Sequence, residues 1–295
     1  MQNLQLGWQP AAVLSSGLFA GSLLLGRLPS SRPARVRPYL TESAFVAGLY
    51  GLWQLAASAS VLGSTGAFAR ARWIVRVEHD WRFPSEIRAQ QLISGRPLLE
   101  QGANWYYAAM HFTALGALLL WLFVRHRTRY PRVRTVLVLL TASSLLIQLI
   151  PVAPPRLLPQ LGFVDTAARY GQSVYNISGI SVDQLSAMPS VHVGWSLLVA
   201  WAVLTISTSP HRWWVLAHPA ITVFVVAATA NHFWLDGVLA AALLACSVLL
   251  VQLASRLLGQ DHGDPGRRPR SHRSERASDP GQPDRVGDQL VRPHG

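Results

Sequence analysis

Two histidines 40 positions apart each stand at the start of a long apolar run in this chain of 295 residues. His192 lies in the string Met-Pro-Ser-Val-His-Val-Gly-Trp at 188–195, and His232 lies in Asn-His-Phe-Trp-Leu-Asp at 231–236. An imidazole can act as nucleophile, base or acid near neutral pH. Because polar groups are costly in hydrocarbon, a pair of such strings at helix ends indicates a catalytic site.

The spacing of His232 and Asp236 is the first sign of specific chemistry. Residues four apart on a helix lie on one face within contact distance. The carboxylate can then accept a hydrogen from one ring nitrogen and leave the other as an outward lone pair, which a nucleophilic histidine requires. The alternative is a histidine that only packs between helices with its hydrogen bonds satisfied. The second histidine string favours the catalytic interpretation.

Ser190 precedes His192 by two positions, at the predicted first turn of an apolar helix. The unpaired backbone N–H groups and the positive dipole end of such a turn form an anion site. Pro189 suits a helix start, so Ser190 can also serve as an N-cap. The two roles are compatible, and we predict that Ser190 contacts a phosphate.

Arg156 follows Ala-Pro-Pro at 153–155. The prolines end the preceding apolar run and stiffen the chain, so the guanidinium extends from a rigid segment. A fixed guanidinium fork matches the oxygens of a phosphoryl group. The alternative is an arginine that only reaches toward lipid headgroups.

Apolar blocks that could position these residues occupy much of the chain. Half of the residues are hydrophobic and the mean hydropathy is positive, which excludes an ordinary soluble domain. We therefore predict an all-α polytopic membrane bundle of about seven spanning helices. The predicted spans are residues 11–27, 44–63, 107–125, 134–152, 191–208, 213–230 and 233–256.

The charge pattern predicts the orientation of this bundle. All 26 basic residues are arginines, and 18 of them fall on one side of a path with seven spans. The positive-inside rule makes that side cytoplasmic. We therefore predict a multi-pass protein of the cell membrane with an extracytoplasmic site and a cytoplasmic C-terminal tail. We expect the arginines to contact anionic lipid headgroups and not nucleic acid.

Composition divides the chain into three predicted parts. Residues 1–43 hold the first span and a basic cytoplasmic loop, 44–256 form the membrane catalytic domain, and 257–295 form a disordered cytoplasmic tail. Within the catalytic domain, residues 64–106 mix charged residues with tryptophans. We predict that this segment rests on the extracytoplasmic membrane surface.

An arginine at a helix exit, then Pro-Ser-x-His, then His-x-x-x-Asp on successive membrane helices resembles the type 2 phosphatidic acid phosphatase superfamily of lipid phosphatases and phosphotransferases. Some strings look most like the branch of inositol phosphorylceramide synthases, the aureobasidin-resistance-like proteins, and their bacterial relatives. They are Ala-Pro-Pro-Arg at 153–156, the two histidine strings, Asn-Trp-Tyr-Tyr at 104–107, and His111. The similarity spans about residues 100–256 and implies a six-helix lipid-phosphatase-like core.

The resemblance also implies a mechanism through a phosphohistidine, with no metal ion or other cofactor. His232, oriented by Asp236, would attack phosphorus while His192 protonates the leaving oxygen. Arg156 and Ser190 would bind the phosphoryl oxygens. The substrate would be a membrane lipid phosphate or phosphodiester, and the acceptor would be water or an alcohol such as inositol.

The chain departs from the broad superfamily pattern at two places. Leu149 stands where the superfamily has a lysine, and valines at 225–226 stand where it has Ser-Arg. We predict that other groups complete the substrate site. The candidates are Asn104, Tyr107, His111, Gln148, Arg169 and Asn231. The alternatives are an aromatic membrane belt for Tyr107 and an interhelical hydrogen bond for His111.

Other functions remain open at this level. The departures also fit a catalytically inactive lipid carrier or flippase that uses the pocket for binding alone. Two histidines and one carboxylate also fit the facial triad of a metal enzyme, although Arg156 beside a dication argues against it. A soluble haloperoxidase-like protein would share the motifs, but the apolar blocks speak against it.

Overall fold

The computed structural model describes residues 8–27, 31–58, 66–172 and 184–259. Within these ranges the chain forms ten α-helices and no strand. The helices are α1 (Trp8–Leu25), α2 (Ser31–Ser58), α3 (Ala67–Asp80), α4 (Glu86–Gln91), α5 (Pro97–Arg125), α6 (Tyr130–Gln148), α7 (Thr166–Arg169), α8 (Val191–Ile206), α9 (Ala217–Ala228) and α10 (Trp234–Leu257). The predicted tail beyond residue 259 lies outside the described residues, and the division into three parts stays a prediction.

Four helices in the described ranges are long and apolar enough to cross a bilayer, namely α1, α5, α6 and α10. Helix α8 is apolar but has 16 residues, and α9 has 12. The predicted all-helical fold is confirmed, and the apolar helices indicate a membrane protein. The count of seven spans stays a prediction.

Each predicted span overlaps a helix, but several helix ends differ from the predicted span ends for local reasons. Helix α5 begins at Pro97 and not at 107, because proline suits the first turn of a helix. Helix α6 ends at Gln148 and not at 152, since Pro151 lacks the N–H that a continuing helix needs. Helix α9 begins at Ala217 and not at 213, because Pro210–Leu216 forms a 3-10 helix.

The main hydrophobic core lies between α5, α6, α8 and α10. Leu115, Leu118 and Leu122 of α5 are buried there, and their spacing of three and four residues defines one helix face. The partners are Val133, Val136, Leu137 and Leu140 of α6, Leu198, Val199 and Ala202 of α8, and Leu244 of α10. This packing fixes the helices whose ends carry the histidines.

Gly194 on α8 lies against both α6 and α10. A β-carbon at this position would lie 3.5 Å from the δ-carbons of Leu140 and 3.6 Å from the β-carbon of Ala240. Alanine therefore fits in van der Waals contact, whereas a larger side chain would overpack the crossing.

We expect Gly194→Leu to lower the melting temperature of the purified protein in detergent, with an overpacking cost of about 1–3 kcal/mol. Gly194→Ala should leave the melting temperature unchanged or raise it, because alanine favours the helix. Equal melting temperatures for the two variants would contradict this account of the crossing.

One end of the bundle collects the ends of five helices. Helices α5, α8 and α10 begin there, and α6 and α9 end there. The backbone N–H of Ser190 donates to the backbone carbonyl of Asp236 at 3.2 Å. The side-chain amide of Gln148 donates to the carbonyl of Pro189 at 3.2 Å. Segments that are distant in the sequence therefore meet at this end.

Helices α3 and α4 pack over the same end of the bundle. Arg70 on α3 donates from Nε to the carbonyl of Pro151 at 2.6 Å, just beyond the end of α6. Trp73 and Trp81 remain exposed. The segment predicted at 64–106 thus contacts the end where the histidines lie, and its position on a membrane surface stays a prediction.

Candidate active site

His232 lies in the turn between α9 and α10 and is only 4% exposed. Its Nδ1 is 2.7 Å from the carbonyl oxygen of Ala187 and 3.3 Å from Oδ2 of Asp236. A carbonyl oxygen can only accept, so Nδ1 carries the hydrogen and Nε2 holds the lone pair. Nε2 has no hydrogen-bond partner among the described residues. The ring therefore presents the nitrogen that a nucleophile needs.

Asp236 is fully buried in the first turn of α10. Its Oδ2 accepts the backbone N–H of Phe233 at 2.9 Å and also faces Nδ1 of His232. The predicted pairing of the histidine with the carboxylate is present. The shorter bond of the ring nevertheless goes to Ala187, a residue that the sequence analysis did not identify.

His192 lies in the first turn of α8 and contacts three other rings of this site. The centroid of its ring is 5.6 Å from that of His232. Tyr107 stacks on His192 with centroids 4.1 Å apart, and His111 lies at the same centroid distance with a tilted ring. One tetrahedral phosphoryl group is of a size to contact both His192 and His232.

Tyr107 and His111 lie one helical turn apart on α5. Together with His192 and His232 they form a group of contacting rings, the histidine cluster. His111 donates from Nδ1 to the backbone carbonyl of Tyr107 at 3.1 Å, since that oxygen can only accept. The described hydrogen bond of His111 is therefore within its own helix and not between helices. The ring of Tyr107 stacks on His192 and lies 6.2 Å from that of His232, and its role toward a substrate stays a prediction.

Arg156 is buried beside the turn that carries His232. Its backbone N–H donates to the carbonyl of Ala230 at 2.8 Å. Its Nη1 donates to Oδ1 of Asn231 at 2.7 Å, and its Nε lies 3.5 Å from the carboxylate of Asp165. Because the guanidinium is buried among these partners, it does not extend toward headgroups in the surrounding lipid.

The turn before His232 contains a backbone conformation that is unusual for its residue type. Ala230 has φ of 53° and is fully buried. This left-handed conformation costs a residue with a β-carbon roughly 1–2 kcal/mol. The backbone hydrogen bond from Arg156 helps to hold it, so Arg156 also shapes the turn.

Ser190 is fully buried and caps α8. Its Oγ accepts the backbone N–H of Val193 at 3.3 Å. The expected capping role is therefore present, and its predicted contact with a phosphate stays a prediction.

Two further candidates, Asn104 on α5 and Arg169 on α7, connect α5 with the chain at α7. The amide of Asn104 donates to Gln172 at 3.1 Å and accepts from the hydroxyl of Thr166 at 3.1 Å. Arg169 pairs with the buried carboxylate of Glu100 at 3.2 Å. These contacts stabilise the segment after Arg156, and the roles of both residues toward a substrate stay predictions.

Val225 and Val226, which stand where the superfamily pattern has Ser-Arg, are surrounded by apolar residues. Val225 packs with Ala103, and Val226 packs with Val193 and Ala240. Both valines are buried. This part of α9 therefore contributes packing and no charge to the site.

Two buried carboxyl groups that were not predicted from the sequence contact the start of α10. Glu78 on α3 accepts the backbone N–H of Leu235 at 2.7 Å, and Glu86 on α4 accepts that of Trp234 at 3.4 Å. Burial, together with the neighbouring Glu86, raises the pKa of Glu78 to about 9. The only signal in the sequence was an acidic residue in a basic segment, and it did not show a partner.

An apolar groove of about 510 Å³ lies between α5, α8 and α9. Its lining residues are Tyr106, Met110, Ala114, Ala117, Leu118 and Trp121 of α5, Val199 and Val203 of α8, and His218 and Ile221 of α9. The hydroxyl of Tyr106 lies 2.9 Å from Nδ1 of His218 and 3.0 Å from the hydroxyl of Thr222. Since Tyr107 is the next residue, the groove and the histidine cluster share one segment of α5.

The geometry does not favour the metal-enzyme alternative. Within the described ranges, no group of three or more His, Cys, Asp or Glu side chains is arranged to hold a metal ion. Oδ2 of Asp236 faces Nδ1 of His232, whereas the lone pair of the ring is on Nε2. The carboxylate and the lone pair therefore do not converge on one centre.

A family model described as the PAP2 superfamily matches residues 72–250, which is more than half of the chain. The matched range begins in α3, ends in α10 and includes Arg156, His192 and His232. No curated protein and no solved structure matches the chain.

Proposed function

The chain belongs to the PAP2 superfamily, whose members are phosphatases, and we propose that it is an integral membrane lipid phosphatase or phosphotransferase acting through a phosphohistidine. The arrangement of two histidines and one arginine carries this proposal. His232 has its lone pair on Nε2, and its ring lies 5.6 Å from that of His192. A buried arginine lies beside the same turn.

In the first step, Nε2 of His232 forms a bond to phosphorus, and the bond from phosphorus to the leaving oxygen breaks. Protonated His192 gives its proton to that oxygen. In the second step, water or an alcohol gives a proton to His192 and attacks phosphorus. The nitrogen–phosphorus bond then breaks and its electron pair returns to His232.

Arg156 and the start of α8 stabilise the phosphoryl oxygens in this mechanism. The guanidinium offers fixed donors next to His232, and the first-turn N–H groups after Ser190 add positive potential. Negative charge on the equatorial oxygens grows as the leaving group departs. Donors that are already in position stabilise this charge without reorganising.

The apolar groove supports a lipid as the substrate. A hydrocarbon chain would fit against its apolar residues, and Tyr106, which lines the groove, directly precedes Tyr107 of the histidine cluster on α5. The substrate is thus a lipid phosphate or phosphodiester, and the acceptor is water or an alcohol such as inositol, as in the inositol phosphorylceramide synthase branch. The excess of arginines on the opposite side makes the catalytic face extracytoplasmic in a path with seven spans.

The test incubates the purified protein with radiolabelled phospholipids and isoprenoid phosphates, with and without inositol. Free phosphate indicates hydrolysis, and a new labelled lipid indicates transfer. Activity that is lost on chelation and restored by iron or zinc would support the metal enzyme instead. Lipid binding or movement without either product would support the carrier.

We expect Arg156→Ala to lower kcat/KM by about 10²–10³-fold, because it removes donors that stabilise charge in the transition state. Arg156→Lys should restore only part of this loss, since lysine keeps the charge but not the planar fork. Arg212→Ala, at the other end of α8, is the matched control and should keep full activity. Steady-state kinetics with a lipid phosphate measure the effect, and an active Arg156→Ala enzyme would contradict the role.

A further inference from the structure

Three carboxyl groups surround the first turn of α10. Glu78 binds the backbone N–H of Leu235, and Glu86 binds that of Trp234. Asp236 belongs to the turn itself. All three are buried, with exposures of 3%, 6% and 0% respectively. Two helices from the segment before α5 are thereby attached to the helix that follows His232.

This arrangement is favourable only if the three carboxyl groups are not all ionised. A helix start attracts one negative group, but adjacent buried carboxylates repel each other. Burial and the neighbouring carboxyl group of Glu86 raise the pKa of Glu78 to about 9, and Oε2 of Glu78 is buried without a hydrogen-bond partner among the described residues. These two side chains, the carboxyl pair, accept from consecutive backbone N–H groups of one turn, so a proton on Glu78 reduces the repulsion between them at neutral pH.

We propose that the carboxyl pair positions His232 by holding the first turn of α10 while Glu78 carries a proton. This inference rests on the proposed function, because positioning matters for the attack of Nε2 on phosphorus. His232 is two residues before Trp234, so a shift of the turn moves the imidazole relative to His192. A displacement of about 1 Å at a reacting group can cost about 10²-fold in rate.

The charges around the pair predict how this control depends on pH. Glu78 faces Glu86 on α4 and Asp236 on α10, and Asp236 in turn faces His232. When the proton on Glu78 leaves, like charges repel around one helix turn. Turnover should therefore fall as the pH rises through about 9.

The test compares Glu78→Gln and Glu78→Ala with wild type, using Asp80→Asn on the exposed part of α3 as the matched control. Glutamine can accept from Leu235 and stays uncharged at every pH. We expect Glu78→Gln to keep kcat within about twofold at pH 7 and to lack the fall near pH 9. Glu78→Ala should lower kcat by about 10- to 100-fold with little change in KM.

Hydrogen exchange of residues 231–240 gives a second readout that needs no activity. Glu78→Ala should speed exchange there, whereas Glu78→Gln should not. Unchanged exchange and kcat in Glu78→Ala, or the same alkaline fall in wild type and Glu78→Gln, would overturn the inference. If Glu78→Ala does not fold, the pH profile of Glu78→Gln decides the outcome. An inactive wild type would refute the proposed function, while exchange would still test the pair.

Discussion

Replacing His232 by alanine should lower turnover of a lipid phosphate by at least about 10⁴-fold, because the phosphoryl group would lose its acceptor atom. The loss should appear in kcat and in kcat/KM. Asp236 and the carbonyl of Ala187 fix the ring through Nδ1, so Nε2 of this residue is the atom that bonds to phosphorus in the proposed mechanism.

Rapid-quench labelling would measure this step directly. Wild-type protein mixed with a ³²P-labelled lipid phosphate should carry acid-labile label on a peptide containing His232, and His232→Ala should carry none. His211→Ala, an exposed histidine in the segment between α8 and α9, is the matched control. Normal labelling of the His232→Ala protein would exclude this residue as the nucleophile.

His192→Ala should lower turnover of a lipid substrate by about 10²–10⁴-fold, since the leaving alkoxide would lack its proton donor. The leaving group of a nitrophenyl phosphate is nitrophenolate, a stable anion that needs little help from an acid. The loss with that substrate should therefore be smaller in the first step. In the proposed mechanism His192 is also the base of the second step, so the phosphohistidine should accumulate in this variant.

A burst of nitrophenol followed by slow turnover would show that His192 acts on both steps. Equal losses of the first-step rate with the lipid and with the nitrophenyl ester would contradict an acid role. The stacking of Tyr107 on His192 gives a useful comparison, because Tyr107→Phe keeps the ring contact. Tyr107→Phe should therefore keep the wild-type ratio between the turnover rates of the lipid and the nitrophenyl ester.

The sequence predicted the meeting of distant segments because helix direction alternates along a bundle. Residues at the end of one predicted span and the start of the next must share one end of the bundle, so the predicted spans place Arg156, His192 and His232 at one end. The contact between His232 and Asp236 was equally predictable, because helical geometry alone brings residues four positions apart together. The ends of helices were less predictable, as Pro97 and the 3-10 helix at Pro210–Leu216 show.

The partners of the candidate residues could not be predicted from residue type. The shorter hydrogen bond of His232 goes to a backbone carbonyl, which every residue possesses. Glu78 and Glu86 contact residues of α10 that lie 157 and 148 positions away in the sequence. Asn104 and Arg169 make contacts between α5 and the chain at α7 that the sequence did not predict, and their approach to a substrate stays a prediction. Such pairings depend on tertiary packing and leave no local pattern.

The backbone of Ala230 indicates that this turn is not at its local energy minimum for an L-residue. Glycine would adopt the same φ with little penalty, so the chain retains local frustration two residues before its candidate nucleophile. Strain of this kind persists only where the surroundings impose the conformation. Rigidity at this end of the protein therefore comes from tertiary restraint and not from intrinsic backbone preference.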